Sequence, residues 1–185
     1  MIDVNELRKG VTFTMDGDLY KVLEYQHHKP GRGKATIRTT LRNLRTGGTL
    51  QKSFISGDRV EDIRIERRGV QYLYNDGDMY HFMDTESYEQ MAIPAAVLSE
   101  QMPYLKESME LILSTHEGEP LDVELPTAVE MDVIEAEPAV AGNTATGALK
   151  KVKVETGLEL QVPLFIEVGD TIRVDTRTGE YLTRV

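Results

Sequence analysis

Short runs of alternating apolar and polar residues recur along the whole chain. They include TFTM (12–15), YKVLEY (20–25), ATIRTTLRNL (35–44), VQYLY (70–74), YHFM (80–83), LILST (111–115), VEMDVIEA (129–136), LELQVPLFI (158–166) and TIRVD (171–175). A period of two puts alternate side chains on opposite faces of an extended chain, and the runs are rich in β-branched and aromatic residues, so each predicts a β-strand. Turn signals separate them: MDGD (15–18), PGRG (30–33), RTGG (45–48), NDGD (75–78), HEGE (116–119) and RTGE (177–180). Glycine and aspartate at such places supply the positive φ that tight hairpins need. Only Pro94 to Glu110 reads as helical, with AAVLSE and YLKESME divided by Pro103, and it predicts one or two short helices. The fold class is all-β.

Charge divides the chain further. The net charge of the 185 residues is −10, yet residues 1–63 carry +3, residues 64–126 carry −9 and residues 127–185 carry −4. These steps, with a strand pattern that restarts near Pro126, predict domains 1–63, 64–126 and 127–185. Each has the size of a small SH3-like or oligonucleotide-binding-type barrel. The absence of cysteine excludes disulfides, zinc–thiolate sites and cysteine nucleophiles. No run of about 18 apolar residues occurs, and MIDVNELRKG has no signal-peptide core, so a cytoplasmic protein without membrane contact is expected.

The sharpest departure from overall acidity lies between Tyr25 and Gly57, 33 residues without Asp or Glu that contain Lys29, Arg32, Lys34, Arg38, Arg42, Arg45 and Lys52. Lysine and arginine at a hairpin tip are ordinarily just solvated, but inert surfaces mix both signs, and segregation on this scale points to a polyanion. Within the window, KPGRGK (29–34) forms a hairpin tip that holds Arg32 between two glycines, with Pro30 limiting the slack they add. On the strand that follows, Arg38, Thr40 and Arg42 share one face, and Ile37 and Leu41 the other. A basic face beneath a basic tip suits phosphate contact, with arginine adding its planar fork of donors.

Other chemistry is sparse. His27 and His28 are adjacent, face opposite ways in a strand and cannot share a metal, while His81 and His116 stand apart. Carboxylate pairs such as Glu117 and Glu119 are expected by chance among 31 acids, and no Ser/His/Asp set or phosphate-cradling glycine motif occurs. No metal, no cofactor and no enzymatic activity are expected.

KPGRGKA, the basic strand after it, YLYNDGDMYHFMD and VPLFIEVGDTIRVDTRTGEYLTRV together resemble bacterial translation elongation factor P along the entire chain. The carboxy-terminal signature of that family is matched by Lys150, Thr156, Gly157, Val162, Pro163 and Gly169, with Val152 where alanine is usual. The resemblance implies an SH3-like (KOW-like) barrel followed by two oligonucleotide-binding-type barrels, in an L shape similar to tRNA. It implies binding to rRNA of both ribosomal subunits and to P-site peptidyl-tRNA, as a monomer lying between the peptidyl and exit sites, with relief of stalling at consecutive prolines. The tip residues Lys29, Pro30, Gly31, Arg32, Gly33 and Lys34 would approach the peptidyl-transferase centre. Relatives carry a modified lysine or arginine at the tip, which makes Arg32 the candidate for an arginine-modifying enzyme. A second loop, GNTATGA, would bring Gly142, Asn143, Thr144 and Gly147 to the small subunit and exit-site codon. Asn143 stands where aspartate is usual and Ala148 where glycine is.

Two other readings remain open at the level of sequence. ELPTAVEMDV leans toward the elongation-factor-P-like paralogue, although KPGRGKA and DTRTGEY read as the main factor. A general single-stranded RNA-binding barrel protein would want basic residues interleaved with aromatics, which are only 6% here with no Trp.

Overall fold

All six turn signals close antiparallel hairpins, and hairpins laid edge to edge form three sheets. The computed structural model describes residues 1–139 and 147–185. The first sheet contains β1 (Ile2–Asp3), β2 (Thr12–Met15), β3 (Asp18–His28), β4 (Thr36–Asn43), β5 (Thr49–Ile55) and β6 (Arg59–Asp62), in the order β1-β6-β2-β3-β4-β5. The second contains β7 (Glu66–Asn75), β8 (Met79–Asp84), β9 (Gln90–Pro94), β10 (Glu110–His116) and β11 (Glu119–Glu124), in the order β11-β10-β7-β8-β9. The third contains β12 (Ala128–Ala136), β13 (Leu149–Val154), β14 (Glu159–Pro163), β15 (Thr171–Asp175) and β16 (Tyr181–Arg184), in the order β14-β13-β12-β15-β16. Edge strands β9 and β11 meet, as do β14 and β16, so these sheets curl toward barrels.

Alternation fixes which face is buried. Ile37 and Leu41 of β4 point inward with Phe13, Val22 and Phe54, and Phe13 meets Phe54 edge to face at 6.2 Å. Val70, Tyr72, Phe82, Ile93 and Leu113 fill the second core; Val129, Met131, Val154, Val162 and Ile172 are in the third. Each fully buried aliphatic or phenyl side chain contributes about 1.5–3 kcal/mol, so these faces set the register of every strand.

Two expectations are corrected. Pro94 to Glu110 forms no α-helix: residues 95–101 are turns, and Met102–Tyr104 is a single 3-10 turn. Its N–H groups bond three residues back, Val97 to Pro94, Leu98 to Ala95 and Tyr104 to Gln101, while the Val97 carbonyl accepts from Arg42 of the first sheet. Packing against neighbours outweighs local helix propensity here. The run 158–166 ends as a strand at Pro163, and Ile166 turns back to hydrogen-bond its carbonyl.

The carboxy-terminal signature maps onto scaffolding. Val152 and Val162 lie in the core, Lys150 is buried with its ammonium 3.8 Å from Glu167, and Gly157 and Gly169 adopt positive φ. Thr156 donates to the Pro103 carbonyl at 2.6 Å across the seam with the second sheet. Tyr104 completes that seam by packing in the third core, and Lys106 pairs with Glu155 at 2.8 Å. Between the first two sheets, Leu19, Leu44 and Leu121 form a small apolar cluster, and Lys21 meets Asp122 at 2.7 Å.

One turn is built three times, once per sheet. At Asn43, Asp84 and Asp175 the backbone N–H takes the carbonyl five residues on, and the carbonyl accepts the N–H four residues on. Each side chain also accepts from the N–H two residues on, at 2.8–2.9 Å. The fifth residue of each turn, Gly47, Tyr88 or Gly179, has φ of +75°, +58° or +75°.

Hydrogen bonds from the Arg177 guanidinium and then its backbone N–H hold the Asp175 carboxyl at about 2, well below the ordinary aspartate range. A depressed carboxyl stabilises the fold above its unfolded-state pKa of about 4, and the contribution vanishes as pH falls through the folded value. Asp175→Asn keeps the turn oxygen and loses the ion pair. Its melting temperature should lie below wild type at pH 7, and the gap should close between about pH 4 and 2.

Candidate nucleic-acid interface

The hairpin of β3 and β4 carries the basic tip. Its last ladder pair is His28 with Thr36, and residues 29–35 arch beyond it. Lys29, Arg32 and Lys34 are exposed, Pro30 and Ala35 are half-buried, and Gly33 has φ of +107°. Among the described residues none of the three cations has an ion-pair partner or a side-chain hydrogen bond. Open space surrounds both Gly31 and Gly33, so no neighbour in the chain requires them to be small. Gly33 is required by its backbone angle, since a Cβ is strained there. Gly31 is under neither demand, and its smallness keeps the tip slim.

Below the tip, register places Gln26, Arg38 and Ser53 side by side on the outer face, with Glu24, Thr40 and Gln51 in the rows beneath. Together they line an open groove of about 450 Å³. Hydroxyl, amide and guanidinium groups in such rows can hydrogen-bond a sugar–phosphate backbone, and Glu24 sets an acidic lower limit to that stretch. His27 and His28 pair with Ile37 and Thr36, so they do face opposite ways, and the described residues hold no metal-binding group of three.

The basic face predicted on β4 is shorter than the sequence suggests. Arg38 is exposed, whereas Arg42 is 6% exposed and covered by the second sheet. Its guanidinium donates to the Val97 carbonyl at 2.8 Å and to Ser99 Oγ at 3.3 Å, and it meets Glu100 at 2.9 Å. Arg45 is likewise engaged, in a two-pronged pair with Glu119 at 2.9 and 3.0 Å. That contact holds the Glu119 carboxyl below its ordinary range, first through the hydrogen bond from Arg45. Two of the seven bases in the acid-free window thus answer acids of the second sheet, and Lys29, Arg32, Lys34, Arg38 and Lys52 face solvent.

Sequence reasoning passed over Arg8, whose guanidinium lies 5.0 Å from the centroid of the Tyr25 ring on β3. That pairing joins an apolar plane to a charge, a combination able to stack on a base, and nothing in the spacing of Arg8 from Tyr25 announces it. Of the second candidate loop, Gly142, Asn143 and Thr144 lie outside the described residues. Gly147 has φ of +102° and open space around it, just before β13.

Three family models cover the chain. They are the elongation factor P (EF-P) KOW-like domain over residues 3–60, the elongation factor P (EF-P) OB domain over 65–123, and elongation factor P, C-terminal, over 129–184. Elongation factor P of Moorella thermoacetica is 50% identical over 184 residues, with 100% of both chains covered. The protein of the same name from Thermoanaerobacter is 50% identical over 185 residues, again with 100% of both covered. Among solved structures, one titled eukaryotic translation initiation factor 5A from Methanococcus jannaschii superposes with a TM-score of 0.52 and 24% identity. It covers 66% of this chain and 90% of its own, and shows likeness of fold alone.

Replacing Lys29, Arg32 and Lys34 together by glutamine should lower the salt slope of RNA binding by about two, while Arg45→Gln leaves it unchanged. Titration of a single-stranded RNA oligomer at several KCl concentrations checks this. Equal slopes for the two variants would contradict the assignment of the free cations to phosphate contact.

Proposed function

The chain belongs to the elongation factor P family and is a ribosome-associated translation elongation factor; from that premise we propose that the Lys29–Lys34 loop reaches along the acceptor end of the peptidyl-tRNA to the peptidyl-transferase centre. The factor lies between the peptidyl and exit sites, and its three units, 1–63, 64–126 and 127–185, span the tRNA as an elongated monomer in contact with rRNA of both subunits. The observation that carries this reading is the tip itself: three exposed cations on a narrow hairpin, unpaired among the described residues, in a chain of net charge −10. A cleft walled by phosphate repels acids and excludes bulk, and between Lys29 and Lys34 this loop has no acid and a single long side chain, that of Arg32, flanked by two glycines.

The mechanism is positional. Proline is rigid and lacks a backbone N–H, so consecutive prolines align poorly for peptide bond formation. Arg32 at the tip presents a fixed fork of donors to the tRNA end, with Lys29 and Lys34 supplying charge at the base of the loop. Held in that frame, the tRNA end loses the orientational freedom that slows the reaction, and the ribosome performs the bond-making. In this reading the protein is not itself an enzyme, works in the cytoplasm and needs no cofactor. The loop of Gly142, Asn143, Thr144 and Gly147 contacts the small subunit. An arginine-modifying enzyme is a further partner if the native protein is heavier than its sequence, and intact mass decides that.

In reconstituted bacterial translation of a message with three proline codons, protein made without arginine-modifying enzymes should relieve the stall. Arg32→Ala should lose about tenfold or more of that effect, the cost of one charge-assisted contact. A proline-free control should be unaffected by either protein. Arg32→Ala as active as wild type would contradict the role given to the tip.

A further inference from the structure

We propose that Gly47 is a positioning residue, present because the main chain of the second sheet seats against it and thereby sets the angle at which the tip loop is held. A Cβ at Gly47 would stand 2.1 Å from the Ala96 carbonyl oxygen and 2.9 Å from its carbon, both backbone atoms of the turn segment that follows β9 of the neighbouring sheet. Positive φ alone does not account for the glycine. The same turn in the second sheet carries Tyr88 at the same position with φ of +58°, so the turn itself accepts a side chain. Tyr88 is 71% exposed, so its side chain points to solvent. In the third sheet Gly179 also has φ of +75°, but there a Cβ would meet only the hydroxyl of Tyr104 at 3.0 Å, the far end of a side chain.

The three copies therefore separate two demands. Gly47 and Gly179 share a backbone angle, and only Gly47 lies against main chain across a seam. The surroundings of Gly47 reinforce the seat, with Arg42 holding the Val97 carbonyl next to Ala96 and Arg45 gripping Glu119. β4 runs from the tip at Thr36 to this seat at Asn43, about 24 Å of strand, so a small rotation at the seat is carried to Arg32 as a displacement of several ångströms. Misplacement of about 1 Å can cost about a hundredfold in a reaction that depends on orientation.

This inference rests on the proposed action of the tip, and its test keeps the two apart. Asparagine tolerates positive φ, so Gly47→Asn adds a Cβ at the seat with little backbone strain, and Gly179→Asn adds the same atom in the same conformation elsewhere. Residual dipolar couplings of backbone amides report the relative orientation of the first two sheets, and the triple-proline assay reports maximal relief at saturating protein. Gly47→Asn should rotate the first sheet and lower maximal relief about tenfold, whereas Gly179→Asn should leave both near wild type. Rotation with full relief, or an unrotated first sheet, would overturn the proposal.

Should Gly47→Asn fold poorly, Arg45→Glu loosens the same seam from the surface, and adding Glu119→Arg restores opposite charges at the wild-type net charge. Relief that falls in the single variant and returns in the pair supports positioning; no recovery in a folded pair overturns it. Wild-type protein that relieves nothing counts against the function of the tip instead, and the couplings still judge the seat.

Discussion

The structure depends on how an arginine-bearing strand is seated on the turn segment of its neighbour. Arg42 brings a guanidinium into a nearly dry seam, where burying the charge is offset only because a carbonyl, a hydroxyl and the Glu100 carboxylate receive it. Glycine at position 47 lets the two main chains touch, and the Leu19, Leu44 and Leu121 cluster excludes water from the other flank. The segment that receives all this, residues 95–104, also sends Tyr104 into the third core. One irregular stretch of the second sheet thus contacts both neighbours, and its lack of a regular hydrogen-bond ladder follows from that double duty.

The same seating explains much of the charge pattern. Along the chain, the positive first third and the negative middle third resemble a nucleic-acid surface beside a repelling one. In space, Lys21 with Asp122, Arg42 with Glu100 and Arg45 with Glu119 are complementary contacts across one seam. Among the described residues, Lys29, Arg32, Lys34, Arg38 and Lys52 of the acid-free window have no acid partner, and the first three stand at the far end of the β3–β4 hairpin. Exposed pairs such as Arg45 with Glu119 are screened by solvent and contribute little stability, so their value lies in specifying how the sheets meet more than in holding them.

Much of the fold was legible in the sequence because turns and alternation are local properties. TFTM is β2 residue for residue, and MDGD, PGRG and NDGD fall where hairpins reverse. The parity of Arg38, Thr40 and Arg42 was legible too, but parity cannot say that a neighbouring sheet covers one end of the face and leaves the other bare. The one or two short helices expected over Pro94 to Glu110 failed for the same reason, since two carbonyls of the segment, those of Val97 and Pro103, are claimed from a distance. The repeated turn had a visible signal, Asx followed four residues later by glycine in NLRTG and DTRTG, yet DTESY hides the remaining copy behind a tyrosine. The tip loop, by contrast, is local chemistry, and its exposure and lack of partners follow from residues 29–34 themselves.

The proposed position of the tip, at the acceptor end of the peptidyl-tRNA, can be mapped directly. The chain contains no cysteine and His28 is exposed on the last ladder pair beneath the tip, so His28→Cys gives a single attachment point for a tethered iron chelate without adding bulk to residues 29–34. Hydroxyl radicals generated there on a ribosome stalled at consecutive prolines cut nearby RNA. Cleavage confined to the acceptor end of the peptidyl-tRNA and the adjoining large-subunit rRNA is the expected result. Cleavage elsewhere, or none when the protein is bound, would contradict it.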